Sequence, residues 1–95
     1  MSNIDVEIYF SQFKTFFVEN PKELRKLIGR ASDEEFFNEV YLEINNNHER
    51  GEEIVLTQKQ IIEIVLKINK SKPKDINDTV DSIFQKTDFG LICLN

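Results

Sequence analysis

The stretch LTQKQIIEIVLKINK, residues 56–70, decides the fold class. Thr57 and Gln60 have the spacing of a capping box, which marks the first turn of a helix. Leu56 and Ile61 stand where a hydrophobic staple fixes the direction in which the chain enters that helix. The many β-branched residues would favour a strand on propensity alone. The capping box and the staple together favour a helix, and its nearly continuous apolar surface predicts a central position in the fold.

Similar signals predict four more helices. Asn20 followed by Pro21, and Ser32 followed three residues later by Glu35, are typical of helix starts, and Gly29 is typical of a helix end. Between these signals the apolar residues recur at intervals of three and four. The helices are predicted over about residues 4–19, from Pro21 to Gly29, from Ser32 to near Gly51, over 58–69 and over 76–86.

Two apolar runs predict short strands. Residues 53–56 precede the fourth helix, and residues 90–94 follow the fifth, so each is the natural pairing partner of the other. The chain has 95 residues, of which 40% are hydrophobic, enough for one compact core. The expected fold is therefore a single domain over residues 1–95, mainly α with about five helices and a minimal two-stranded antiparallel β-sheet.

The order strand, helix, turn, helix, strand over residues 53–94 resembles a winged helix-turn-helix domain. The stretch Leu56-Thr57-Gln58 resembles the opening of many first helices in that family. The resemblance covers under half of the chain and implies a winged-helix-like second half that binds DNA as a regulator. Lysines would contact phosphates, and polar side chains of the fifth helix would reach base edges. The candidate nucleic-acid-binding residues are Lys59, Lys67, Lys70, Lys72, Lys74, Asn77, Thr79, Ser82, Gln85 and Lys86.

Charge supports a second hypothesis. The net charge is −5, and Asp75, Asp78 and Asp81 lie where the fifth helix would approach phosphates. Residues 31–55 concentrate acidic side chains, which predicts an interaction face for a protein partner or a DNA mimic used by a phage or host factor. The candidate acidic face is Glu35, Glu39, Glu43, Glu49, Glu52 and Glu53.

Three of these carboxylates, Glu35, Glu39 and Glu43, are spaced four residues apart and so share one helix face, where like charges repel. This face is expected to be solvated or salt-bridged, with a basic patch on the preceding helix or on a second subunit as one partner, and a divalent cation is the alternative. The basic candidates are Lys22, Arg25, Lys26 and Arg30. A cation site in a helical bundle normally adds histidine at Glu-x-x-His spacing, and the single histidine, His48, follows Asn45 instead. We therefore expect no metal.

The sequence favours a protein that is not an enzyme and has no cofactor. His48 is expected to be exposed at a helix end, Cys93 is expected to be a small core residue, and the three glycines form no phosphate loop. One cysteine cannot form an internal disulfide, which suits the cytoplasm, and no run approaches the length of a membrane span. Abundant Ile, Asn and Lys with a single Ala are typical of an AT-rich microbial or phage genome.

Aromatic residues are unusually frequent in the first and third helices. Phe10, Phe13, Phe16 and Phe17 follow helical spacing in the first, and Phe36 begins a similar group in the third. Such a set exceeds what a small core is expected to cover, and the surplus would form an apolar patch. We therefore expect a homodimer built on the first and third helices.

Overall fold

The protein is described by a computed structural model in which residues 4–69, 76–87, 89 and 93 are placed. Their helices are α1 (Ile4–Glu19), α2 (Pro21–Ile28), α3 (Asp33–Glu49), α4 (Gln58–Ile68) and α5 (Ile76–Lys86). The five predicted helices are confirmed, with ends within one or two residues of those expected. None of these helices combines the length and apolarity that crossing a membrane requires.

Of the three helix starts whose preceding residue is described, two are capped by the predicted side chain. Ser32 Oγ accepts a hydrogen bond from the Glu35 backbone N–H at 3.0 Å, and the Thr57 and Gln60 side chains form the full capping box. Pro21 occupies the first position of α2, as predicted. Asn20 does not cap that helix with its side chain; its amide instead donates to the Phe16 carbonyl at 2.8 Å, at the end of α1. Fixed φ at Pro21 starts α2 without that bond.

The expected two-stranded sheet and the winged-helix-like second half are wrong. No strand or sheet occurs in the described ranges, where Thr57 alone has a β-bridge, and residues 53–56 form an irregular segment before α4. The backbone N–H of Leu56 donates to the Tyr9 hydroxyl at 3.1 Å, while that of Cys93 donates to the Phe89 carbonyl at 3.0 Å. Both amides are therefore engaged in bonds other than those of a β ladder. The rest of the expected second strand, at 90–92 and 94, lies outside the described residues.

The helices pack so that α4 is central, as predicted. It contacts α2, α3 and α5, and α3 lies between α1 and α4. Ile61, Ile64 and Val65 are buried, while Ile62 and Leu66 are half-buried. Contact with three helices explains why an almost wholly apolar helix is accommodated.

The aromatic residues form the centre of the core and do not make the expected surface patch. Phe13 contacts Phe17, Phe36 and Phe89, with ring centres 5.3–6.0 Å apart. These four rings are almost completely buried. The large apolar side chains that remain exposed in the described residues are aliphatic: Ile4, Ile8, Val18 and Leu42. The predicted surface patch of aromatic residues, on which the expected homodimer was based, is therefore wrong.

Candidate functional site

Gln60 joins the start of α4 to α3. Its side-chain oxygen accepts the Thr57 N–H at 3.0 Å, which completes the capping box. Its amide nitrogen donates to Glu43 Oε2 at 3.0 Å and to Asn47 Oδ1 at 3.1 Å. Asn47 is 2% exposed and also accepts from Arg50 at 2.8 Å. A glutamine, unlike a glutamate, can cap with its oxygen and still donate two bonds. The junction of the two helices is therefore held by polar groups with defined partners.

About two turns further along α4, an ion pair links α4 to α3 again. Lys67 Nζ lies 2.9 Å from Glu39 Oε1, and the hydrogen bond to this carboxylate raises the pKa of the Lys67 ammonium. This contact places a positive charge beside the row of carboxylates on α3. The expected basic partners on α2 are not seen to fill that role; Arg25 forms its ion pair with Asp33, at the start of α3.

An acidic cleft lies beside the Gln60 junction, where the chain passes from α3 to α4. Its volume is about 410 Å³. Among its described lining residues, Glu52, Glu53 and Glu63 contribute carboxylates and Lys59 contributes the one ammonium group. Arg50 reaches Glu52 with a 3.3 Å hydrogen bond. The remaining lining residues are Asn47, Val55, Thr57 and Gln60. The excess of negative charge suits a cationic group.

A second groove, of about 330 Å³, lies between α2 and α5. Thr79 and Ser82, two of the predicted base-contacting residues, line this groove. Glu23 and Lys26 of α2 line it too. Asp78 completes the lining. The hydroxyl groups thus share this groove with two carboxylates and one ammonium group.

The other candidate nucleic-acid-binding residues occupy separate places. Lys59 borders the acidic cleft, and Lys67 is paired with Glu39. Exposed positions on α5 carry Asn77, Gln85 and Lys86. Lys70, Lys72 and Lys74 lie outside the described residues. The described members of the set are therefore distributed over the cleft, the α3–α4 junction and α5.

The candidate acidic face also divides. Glu39 and Glu43 are half-buried against α4, whereas Glu35 is exposed near the start of α3. Glu49 accepts from Asn45 at 3.2 Å, on the last turns of the same helix. Only Glu52 and Glu53 border the cleft. Among the described residues, no group of three or more His, Cys, Asp or Glu side chains has the geometry to hold a metal ion.

Cys93 and Tyr9 form a buried polar pair that lines neither cleft. Cys93 is 2% exposed, which confirms it as a small core residue, and its sulfur lies 3.5 Å from the Tyr9 hydroxyl. Burial raises the pKa of the Cys93 thiol to about 12 and also raises the pKa of Tyr9. A thiol in this environment stays protonated near neutral pH and is a poor nucleophile. His48, expected to be exposed, is half-buried.

The comparisons add no family. No protein-family model, curated protein or solved structure matches the chain.

Two residues that line the cleft, Asn47 and Glu63, were not singled out from the sequence. Gln60 offered the one available signal for Asn47, because a glutamine at this capping position has two spare donors that need acceptors nearby. Glu63 had no such signal, since its role depends on how the 50–57 segment folds back over α4.

Proposed function

We propose that the protein is a non-catalytic binding module that recognises a basic segment of a partner protein. The observation that carries this proposal is the acidic cleft, whose described lining has the carboxylates of Glu52, Glu53 and Glu63 and the ammonium group of Lys59. Carboxylates on a concave surface focus the electric field and attract cations before contact is made. A guanidinium group would fit best, because it forms paired hydrogen bonds with a carboxylate.

The wall of the cleft favours a defined ligand position. Asn47 and Gln60 line it, and both have their side chains held by hydrogen bonds within the protein. A wall that is already ordered loses less conformational entropy when a ligand binds. The volume of about 410 Å³ lies within the usual range for ligand pockets, so the cleft suits a few side chains of a peptide. A single cysteine, buried and protonated, is compatible with the cytoplasmic setting that we infer.

The proposal is tested with a fluorescent peptide rich in arginine and lysine. The double variant Glu53→Gln and Glu63→Gln removes two cleft charges and is expected to weaken binding by roughly tenfold, as rim charge pairs contribute modestly each. The matched control, Glu34→Gln with Glu35→Gln, removes the same charge from exposed positions on α3. Fluorescence anisotropy at low and high salt measures both. Equal weakening by the two variants would reduce the effect to net charge and contradict a cleft site.

Nucleic-acid binding is the second candidate. It is supported by Lys26, Thr79 and Ser82, which lie together in the groove between α2 and α5 and suit a phosphate, whereas the carboxylates of Glu23 and Asp78 in the same groove oppose it. Charge reversal at Lys70, Lys72 and Lys74 is expected to abolish retardation of DNA in a low-salt gel shift. Unchanged retardation by that triple variant, or none by the unaltered protein, would remove this candidate.

A further inference from the structure

The outward face of α1 carries an uncharged stripe. Its residues follow one another at intervals of four, three, four and three, which keeps them on one side of the helix. They are Ile4, Ile8, Ser11, Thr15 and Val18, and are called the α1 stripe below. All five are exposed: Ile4 by 61%, Ile8 by 52% and Val18 by 67% among the apolar ones. The buried residues of α1, Val6, Tyr9, Phe13 and Phe17, lie on the opposite side.

This face differs from an ordinary solvent-facing helix surface. Such surfaces normally carry charged side chains, and this chain has charged residues at 31% of its positions. Alternating intervals of three and four are the spacing of a coiled-coil seam, and β-branched side chains such as that of Ile8 favour two-stranded pairing. The α1 stripe therefore has the pattern of a helix that pairs with another helix.

We propose that the α1 stripe binds the α1 stripe of a second copy of this chain, parallel and in register. In that arrangement each apolar residue meets its own counterpart, and the small Ser11 and Thr15 meet in the middle. In a parallel pair of helices, a residue that flanks the seam on one helix faces the residue five positions later on the other helix. Lys14 would then face Glu19 of the second copy, and by symmetry this pair forms twice. Glu7 would face the neutral Gln12.

Antiparallel pairing fits less well. The register that covers Val18 brings Lys14 opposite Lys14 of the second copy, and Asp5 opposite Glu19, so like charges meet on both sides of the seam. The register that avoids these contacts leaves Val18 beyond the paired stretch. Charge and apolar coverage together therefore select the parallel arrangement.

The interface is small. Five stripe positions and a few flanking residues contribute from each copy, against the roughly 20–30 residues a side of a standard interface. We therefore expect a concentration-dependent dimer with a dissociation constant on the order of 100 µM. Leu42, with the nearby groove lined by Phe10, Asn38 and Tyr41, is the competing apolar surface.

Sedimentation velocity over a wide range of concentration tests the proposal with a closely matched pair of variants. Ile8 and Leu42 are both 52% exposed, and neither belongs to the core. Ile8→Lys places two ammonium groups against each other at the seam, so the variant is expected to remain at the monomer mass of 11.2 kDa throughout. Leu42→Lys is expected to dimerise as the unaltered protein does. A monomeric unaltered protein, or loss of the dimer in Leu42→Lys alone, would overturn the proposal.

Direction is tested by cysteine cross-linking and by exchange of charge. Thr15→Cys is expected to form an intermolecular disulfide under mild oxidation, because parallel pairing brings the two positions together. Lys22→Cys, an exposed position on α2, is the control.

Lys14→Glu and Glu19→Lys should each weaken the dimer by roughly three- to tenfold, and together restore it. Lys14 also lies over the Phe37 ring, 5.9 Å from its centre, so each variant is checked by thermal melting. No cross-link at residue 15 in a protein that dimerises, or no restoration, would overturn parallel pairing.

Discussion

Replacing Gln60 by glutamate tests whether the α3–α4 junction depends on amide donors. The change preserves size and leaves a side-chain oxygen to accept the Thr57 N–H at 3.0 Å, so the helix cap is retained. It removes the donors to Glu43 and Asn47, at 3.0 and 3.1 Å. It also places a second carboxylate against Glu43.

The expected loss of stability follows from these bonds. A hydrogen bond to a charged group contributes about 1.5–3 kcal/mol and a neutral one about 0.5–1.5 kcal/mol. A carboxylate in the first turn of a helix regains about 0.3–1 kcal/mol from the helix dipole. Repulsion from Glu43 opposes that gain. We expect Gln60→Glu to lower the free energy of unfolding by about 3 kcal/mol at neutral pH.

The loss should depend on pH. Glu43 disfavours a second negative charge nearby, so folding raises the pKa of the introduced carboxyl above its unfolded value of about 4.3. A raised pKa means that the protonated form is favoured in the folded protein, and the associated stability is present at low pH and lost as pH rises. Protonation also returns one donor. The deficit relative to the unaltered protein should therefore shrink as pH falls through the raised folded pKa and be smallest near the unfolded value of about 4.3.

Urea unfolding followed by circular dichroism, at neutral and acid pH, measures the deficit. Gln85→Glu is the matched control, because Gln85 is exposed on α5 and should tolerate the same change within about 0.5 kcal/mol. A deficit at Gln60 no larger than that at Gln85, or one unchanged by acid, would refute the account of the junction.

Two further predictions concern the buried pair of Tyr9 and Cys93. Tyr9→Phe leaves the buried Leu56 N–H without its 3.1 Å acceptor and should cost about 1–3 kcal/mol in urea unfolding; a loss near zero would mean that another group takes over. The second concerns alkaline pH: because folding raises the pKa of the Cys93 thiol to about 12, the thiol's contribution to stability is present below its unfolded pKa of about 8.5 and is lost progressively above it. Cys93→Ala should reduce this alkaline loss of stability, and an unchanged pH profile would contradict the assignment.

Helix positions were predictable because local signals specify them. Pro21, Ser32 and Thr57 each define a first turn, and the intervals between apolar residues define the lengths. These signals act within one or two turns of the chain, so no tertiary context is needed. The centrality of α4 followed for the same reason, from its own apolar circumference.

The sheet and the details of the cleft were not predictable in this way. Residues 53–56 match the pattern of a strand, but the Leu56 backbone N–H donates to the Tyr9 hydroxyl of α1. No local pattern of residues indicates a contact across 47 residues. The same holds for Lys67, whose partner Glu39 became apparent only from the packing of α4 on α3. Pairings between elements depend on the assembled geometry, and single residues do not encode them.

The Tyr9 hydroxyl has a consequence for the order of folding. It joins α1 to Leu56, 47 residues away, and to Cys93, 84 residues away. Individual helices form within about a microsecond, but such distant contacts require large loops to close first. Phe89 can contact Phe84 of α5 locally, but its contacts with Phe13 and Phe17 of α1 depend on that closure. On a ribosome, Phe13 and Phe17 can meet Phe36 of α3 early, but the part of their surface that contacts Phe89 must stay uncovered until residue 89 has emerged, and that interval leaves apolar surface open to aggregation.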